Sequence, residues 1–496
     1  MKKAWFVALL FVGFAGALQR DAGAQWIHLN NKDDVRAIHR QGNSLWIGTN
    51  GGLLIYDLAG GMFVAEHLLG DDLPSSSIRA IAERGEKTFI GTDGGLVIVE
   101  DGRFDMYRSR NDSSLHDIRS IDFGHRGDIC IGTYGHGAGM IRGGKLSMVT
   151  RADSLLDDRV YAVMQMDDIT YYYATSYGVC AFKDSLWWNY RVGAGLPKGE
   201  VLDLILTQDY AMYALIAGGG VFYFNGTRGR NISSDGLFMD NEIAAIALEK
   251  DQTLWAAGSF GGIKKYHGGM WHSEVEADQE TARARWRTAY AHPGSRVYFG
   301  SANGLIVSVG NKTMQKIVIP SSLPSNNIRV MAQDSTGRKY FAAAAHLVSM
   351  SGQKNDIIIE KLTGPVTAMT VSAQGKFYCS TRWGVFQKSG GRFEEIPLDL
   401  GGRVTVISSM ACDRSGGLWL GTDRGEVLNY DGSLWLCLGE SDELTGGEVT
   451  DLDQDGFGAM WALSPASGVS RFDGHSWTKF PREHFGGQSL CDMISV

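Results

Sequence analysis

Leu45-Trp46-Ile47-Gly48-Thr49-Asn50-Gly51-Gly52-Leu53 returns as Phe89-Ile90-Gly91-Thr92-Asp93-Gly94-Gly95-Leu96, and again as Leu418-Trp419-Leu420-Gly421-Thr422-Asp423-Arg424-Gly425. Weaker copies stand at Tyr172–Thr175, Leu254–Ala257, Val297–Gly300, Phe377–Ser380 and Met460–Leu463. Aligned on Gly48, the anchors fall at 48, 91, 132, 174, about 215, 257, 300, 342, 380, 421 and 463, a mean spacing of 41.5 residues. Self-similarity at this period is the first thing to weigh in a sequence, because it fixes the architecture before any single motif does.

Each copy holds four strand signals: a run such as Ile78-Arg79-Ala80-Ile81, the anchor strand, a third strand such as Gly52-Leu53-Leu54-Ile55-Tyr56, and an aromatic fourth strand around Phe63, Phe104 or Trp435. Turns rich in Asp and Gly separate them, and no segment after residue 24 sustains the 3.6-residue period of a helix. One four-stranded sheet has two apolar faces and cannot cover both. Radial stacking does, so the pattern predicts an all-β array of propeller blades, about eleven of them.

Propellers close with about four to eight blades, so eleven exceed one ring. The expected arrangement is a seven-bladed propeller over residues 25–311 and a second, incomplete or truncated one over 312–496. Gln25-Trp26-Ile27-His28-Leu29 is expected to complete the seventh blade as its fourth strand, with Met314–Ile319 opening the second ring in the same way. A single large open array is the alternative.

Residues 1–24 read as a signal peptide: Lys2 and Lys3, an apolar stretch from Ala4 to Leu18, then Ala22-Gly23-Ala24. The stretch is short for a bilayer span. With a formal charge of −8 and no cluster of Lys and Arg, a nucleic-acid partner is not expected. The expectation is an exported protein, periplasmic or at the cell surface, with no membrane span once the leader is removed. Cysteines 130, 180, 379, 412, 437 and 491 form no CxxC pair and no disulfide framework, and Cys130 and Cys379 read as core residues.

The unit of Ile-Arg-x-Ile, Leu-Trp-Ile-Gly-Thr, Gly-Gly-Leu, Tyr-Asp, an aromatic strand and Leu-Pro-Ser (Leu73-Pro74-Ser75, Leu323-Pro324-Ser325) resembles the two-component-regulator propeller repeat. The resemblance runs from about Gln25 to Val496. In that family, paired seven-bladed rings form the periplasmic sensor half of hybrid histidine kinases that detect glycans, and similar rings occur in exported proteins without kinases, including a surface protein associated with type IX secretion. The 496 residues hold no second apolar segment, kinase or immunoglobulin-like stalk, so the resemblance implies ligand binding rather than direct signalling by this chain.

No HExxH, P-loop or GxSxG is present, so a non-catalytic protein is expected and no cofactor or metal is assigned. Gly135-His136-Gly137-Ala138-Gly139 lies between strands and reads as a turn. Asp451-Leu452-Asp453-Gln454-Asp455-Gly456 opens like a calcium loop, but its twelfth position is Ala462, and Asp455 is in register with the ordinary turn residue Asp413. His125 and His136 fall at opposite ends of the Cys130 strand.

What remains is the face where first strands begin and second strands turn into third. Arg36, Arg79, Arg119 and Arg329 open first strands there in register. Nearby turns carry Asn50, Asp93, Tyr134, His136 and Tyr177, with Phe260 and Asn303 on later blades. Arginine forks bind carboxylate or sulfate, and aromatics stack on sugar faces, so the rim suits an acidic or neutral glycan or another envelope component. The competing reading pairs the arginines with loop carboxylates such as Asp71, Asp117 and Asp158. Two further functions stay open: a propeller lyase or hydrolase using a rim histidine, and a scaffold that binds another protein.

Overall fold

The computed structural model describes residues 30–486, apart from 71, 108–114, 125, 168, 184–185, 192–195, 197–198, 226–227, 234–242, 259–261, 276–283, 293–295, 309–313, 352–356, 390, 399–404, 440–443 and 445–446. These residues form eleven four-stranded antiparallel sheets, each made of consecutive strands in sequence order. Blades 1 to 7 are Val35–His67, Ile78–Met106, Ile118–Val149, Val160–Arg191, Val201–Asn231, Ile243–Val275 and Trp286–Ile317. Blades 8 to 11 are Ile328–Lys361, Val366–Ile396, Ile407–Gly439 and Asp451–Pro481.

The apolar clusters show how the blades stack. Ala37, Trp46 and Leu53 of blade 1 meet Ile78, Ile90 and Val97 of blade 2, and each following pair in blades 2 to 7 shares such a cluster. Another cluster joins blade 7 back to blade 1, where Tyr298, Leu305 and Val307 pack on Val35, Ile38 and Ile47. Seven blades therefore share seven interfaces, and the first ring is closed. Blades 8 to 11 share three interfaces, with a separate apolar cluster of Phe341, Val348 and Ile357 on the other face of blade 8.

The glycine of the Trp-Ile-Gly-Thr strand has a steric role. A Cβ on Gly48 would lie 2.5 Å from Ile78, one on Gly91 2.6 Å from Ile118, and one on Gly300 2.7 Å from Val35. The second strand of each of these blades thus carries the first residue of the next blade directly on its backbone. The threonine beside it closes the following turn: Thr49 Oγ1 donates to the Gly52 carbonyl at 2.8 Å and accepts the Gly51 N–H, and Thr92 does the same for Gly95 and Gly94. Gly52 and Gly95 then take φ of 134°, where a side chain is disfavoured.

One strand assignment from sequence changes. Met314–Ile317 pairs with Gly304–Ser308 and is the fourth strand of blade 7, so it does not open a second ring. Its place in the sheet is the one expected for Gln25–Leu29, which lies outside the described residues. The ring is closed by burial of blade faces and by a polar clasp: the Asn31 N–H donates to Asn326 Oδ1, Asn326 Nδ2 to the Asn31 carbonyl at 2.8 Å, and the Lys32 N–H to Ser321 Oγ at 2.9 Å. The chain leaving blade 7 is thereby tied to the chain approaching blade 1.

The aspartates of the outer hairpins act locally. Asp413 accepts the Gly417 N–H and Trp419 Nε1–H, both at 2.9 Å, and Asp455 does the same for Ala459 and Trp461. The oxygens of Asp455 hold a turn and an indole. Cys130, Cys180 and Cys379 are buried and form no disulfide among the described residues, as the core reading expects for the first and last; Cys491 lies outside the described residues.

Gly300→Ala is expected to lower stability by about 1–3 kcal/mol, because the added methyl meets Val35 side chain and backbone at the closing seam. Urea unfolding monitored by tryptophan fluorescence checks this; an unchanged midpoint would mean that blade 7 is not seated on blade 1.

Candidate functional site: the axial channel of the first ring

First strands of neighbouring blades pack side by side around the axis. In each of the seven, the pairing with the second strand skips a residue just after the strand begins: between Val35 and Ala37, Ile78 and Ala80, Val160 and Ala162, Trp286 and Thr288, and likewise in the others. A bulged residue has no partner across the ladder and its side chain is re-aimed. The skipped residues are Arg36, Arg79, Arg119, Tyr161, Leu202, Ala244 and Arg287, and every one lines a cavity of about 530 Å³ on the ring axis.

The arginines are held by carboxylates. Arg36 Nη2 meets Asp34 at 2.7 Å and its Nη1 donates to Ser77 Oγ at 2.9 Å. Arg79 Nε meets Asp93 at 2.9 Å, and Arg119 Nε meets Asp117 at 2.9 Å. Arg287 Nε meets Asp34 from the other side at 3.0 Å, so this carboxylate bridges blades 7 and 1. Burial alone would raise Asp93, but the Arg79 guanidinium holds it below the ordinary carboxylate range. Burial, with the neighbouring Asp93, keeps Asp117 above that range despite Arg119.

Blade 5 contributes a different group. Asp203, next to the bulge, lines the cavity and accepts the N–H of Leu204 at 2.8 Å. Burial pushes its carboxyl up to about 7, with that one N–H opposing the shift. The Tyr161 hydroxyl donates to Glu200 at 3.0 Å, and burial pushes it up to about 12.

Arg36, Arg79 and Arg119 thus come together as the sequence implied. Asp93 joins them as the partner of Arg79, and Tyr134 lies under the Arg119 guanidinium, 4.7 Å from it. The Asn50 N–H donates to the Asp34 carbonyl, which puts that turn at the same rim. His136 is exposed, with its ring 6.4 Å from that of His116, and Tyr177 is 57% exposed on the turn of blade 4. Neither lines the channel. Asn303 lines a separate cleft with Asp33, Ser321 and Pro324, where blade 7 meets the segment leading to blade 8. Arg329 lies with Val330 in the register irregularity of blade 8 and does not line this channel. Phe260 lies outside the described residues.

The carboxylate pairing named from sequence holds for Asp117 but not for Asp158, whose side chain accepts the Arg151 N–H while Asp157 pairs with Arg159; Asp71 lies outside the described residues. Asp34, Arg287, Tyr161 and Asp203 were not singled out. The repeat register held the signal for the middle two, since Trp286-Arg287 and Val160-Tyr161 align with Val35-Arg36.

Four-stranded blades around an axial channel make this a β-propeller protein. A family model, the two component regulator propeller, matches residues 401–424. Among solved structures, PorZ, an essential surface component of the type-IX secretion system of Porphyromonas gingivalis, is 14% identical with a TM-score of 0.66, over 90% of this chain and 65% of PorZ. An ancestral GH74 enzyme is 14% identical with a TM-score of 0.53, over 93% of this chain and 69% of its own. The extracellular domain of the hybrid two-component system BT4673 from B. thetaiotaomicron is 18% identical with a TM-score of 0.48, over 92% and 67%. At these identities the likeness is one of fold. A comparison with curated protein sequences found no match. Among the described residues, no helix is long and apolar enough to cross a membrane.

A carboxyl whose pKa folding raises weakens the fold as pH climbs from its unfolded value near ~4 toward 7, because the folded state holds the proton more tightly. Asp203→Asn removes that dependence. The variant is therefore expected to gain stability over the parent between pH 5 and pH 8, by on the order of 2–4 kcal/mol at most. Urea midpoints at the two pH values check it; a constant gap between variant and parent would show that Asp203 titrates normally.

Proposed function

We propose that this chain is an exported, non-catalytic β-propeller protein that binds a glycan or another envelope component in the channel mouth of its seven-bladed ring. The observation that carries the reading is the set of seven re-aimed side chains around a cavity of about 530 Å³, inside the range of about 300–1,000 Å³ typical of ligand sites. Arg79 donates from Nε and Nη2 to Asp93 and Arg119 from Nη2 to Asp117, and their remaining donors suit sugar hydroxyls or an oxyanion. Tyr134, exposed beside Arg119 at the mouth, offers a stacking surface. Binding is favoured over catalysis because Asp34, Asp93 and Asp117 are committed to ion pairs. Export is supported by the leader-like N-terminus, and the fold shared with a bacterial surface component makes the envelope the setting to test first.

A glycan array probed with the purified chain and with an Arg36→Gln, Arg79→Gln, Arg119→Gln variant tests the reading. The parent is expected to bind a defined set of glycans and the variant to lose at least about tenfold in affinity, the loss of two or three charge-assisted hydrogen bonds, with an unchanged circular dichroism spectrum. Equal binding by both would remove the site from the channel. Absence of glycan binding with capture of an envelope protein would favour the scaffold reading.

A further inference from the structure

The wall of the channel is divided. Arg287, Arg36, Arg79 and Arg119 stand on blades 7, 1, 2 and 3, which are consecutive around the closed ring, whereas Tyr161, Leu202 and Ala244 hold the same position on blades 4, 5 and 6. One side carries arginine at this position and the other carries none. On the cationic side the charges do not cancel, because Asp34 serves both Arg36 and Arg287, at 2.7 and 3.0 Å. With Asp93 on Arg79 and Asp117 on Arg119, four guanidiniums share three carboxylates among the described residues. The surplus positive charge sits at the seam of blades 7 and 1. There Arg287 spends its Nε on Asp34, and among the described residues its terminal nitrogens have no hydrogen-bond partner.

Two buried polar groups along the same wall also have unspent capacity. The indole N–H of Trp286, a residue only 3% exposed, and the Ser120 hydroxyl have no partner among the described residues, and both residues line the cavity. A buried donor left unpaired is costly, so their placement favours a ligand or water that supplies acceptors.

Building on the glycan-binding reading, we propose that the channel selects a sugar terminus bearing a single carboxylate, a uronic acid, with its carboxylate on Arg287 and Arg36 at the seam and its uncharged ring face along Tyr161, Leu202 and Ala244. Arginine at the seam supplies a planar fork for the carboxylate, and the apolar side accepts the sugar's C–H face.

Asp203 makes this selection depend on pH. The lining residues beside it on blades 4 and 6 are Tyr161, Ala162, Ala244 and Ala245, of which only Tyr161 titrates, far above neutrality. Across the cavity stand Arg36, Arg79, Arg119 and Arg287 with Asp34, Asp93 and Asp117. Below pH 7 Asp203 is neutral; above it, its carboxylate adds a negative charge to the cavity wall and disfavours an anionic ligand.

Isothermal titration of the full chain with a glucuronate-terminated trisaccharide and with its glucose-terminated counterpart, at pH 6 and pH 8, tests the proposal. The uronate is expected to bind about tenfold more tightly than the neutral sugar at pH 6, the order of one charge acting over several ångströms, and to lose most of that advantage at pH 8. Arg287→Gln is expected to abolish the preference, and Asp203→Asn to retain it at pH 8. Equal affinity for the two sugars, or a preference indifferent to both substitutions, overturns the charge selection while leaving the channel as a glycan site. Failure of both sugars to bind, with no glycan retained on the array, overturns the glycan reading itself. Should Arg287→Gln fail to fold, Asp203→Asn decides alone: a preference that still falls at pH 8 in that variant contradicts the proposal.

Discussion

The structure depends on how closely one blade can approach the next. Gly48, Gly91 and Gly300 place bare backbone where Ile78, Ile118 and Val35 must sit, and the apolar faces meet only because no Cβ intervenes. Where the anchor is not glycine it is small, as with Ala174 and Ala257, except in blade 5, where it is Leu215. The same contact at Gly300 and Val35 joins the seventh blade to the first. Closure is thus one more instance of the repeat's own interface, with the Asn31–Asn326 clasp added on the outside.

That packing also determines the channel. First strands crowd the axis, and the residue bulged out of each ladder is turned toward it. The repeat therefore writes one side chain per blade into the lumen. Blades 7 to 3 place arginine there and blades 4 to 6 place neutral groups, so a nearly uniform scaffold carries an uneven site. The carboxylates lie one or two residues before the bulge or on the adjoining turn, close enough to hold the guanidiniums without neutralising all of them.

The architecture was legible because eleven anchors at a regular period leave few ways to bury both faces of each sheet. Export and the role of Gln25–Leu29 rest on residues outside the description. Met314–Ile317 was misassigned because a fourth strand from the N-terminus and one from the local chain share the same alternating pattern; sequence does not reveal which reaches the open edge first. In the site, Arg36, Arg79 and Arg119 were visible as a register feature, whereas Arg287 was hidden behind Trp286, which replaces the aliphatic residue of the motif. Asp203 carried no signal, since its environment is made by blades 4 to 6 together. His136 and Tyr177 show the converse: residues on the right turns need not reach the axis.

An experimentally phased map of the first ring tests the central claim most directly. Density should show Val35 resting on the backbone of Gly300, and the guanidiniums of Arg287, Arg36, Arg79 and Arg119 along one side of a single lumen. A gap between blades 7 and 1, or these four side chains distributed over separate faces, would contradict the account.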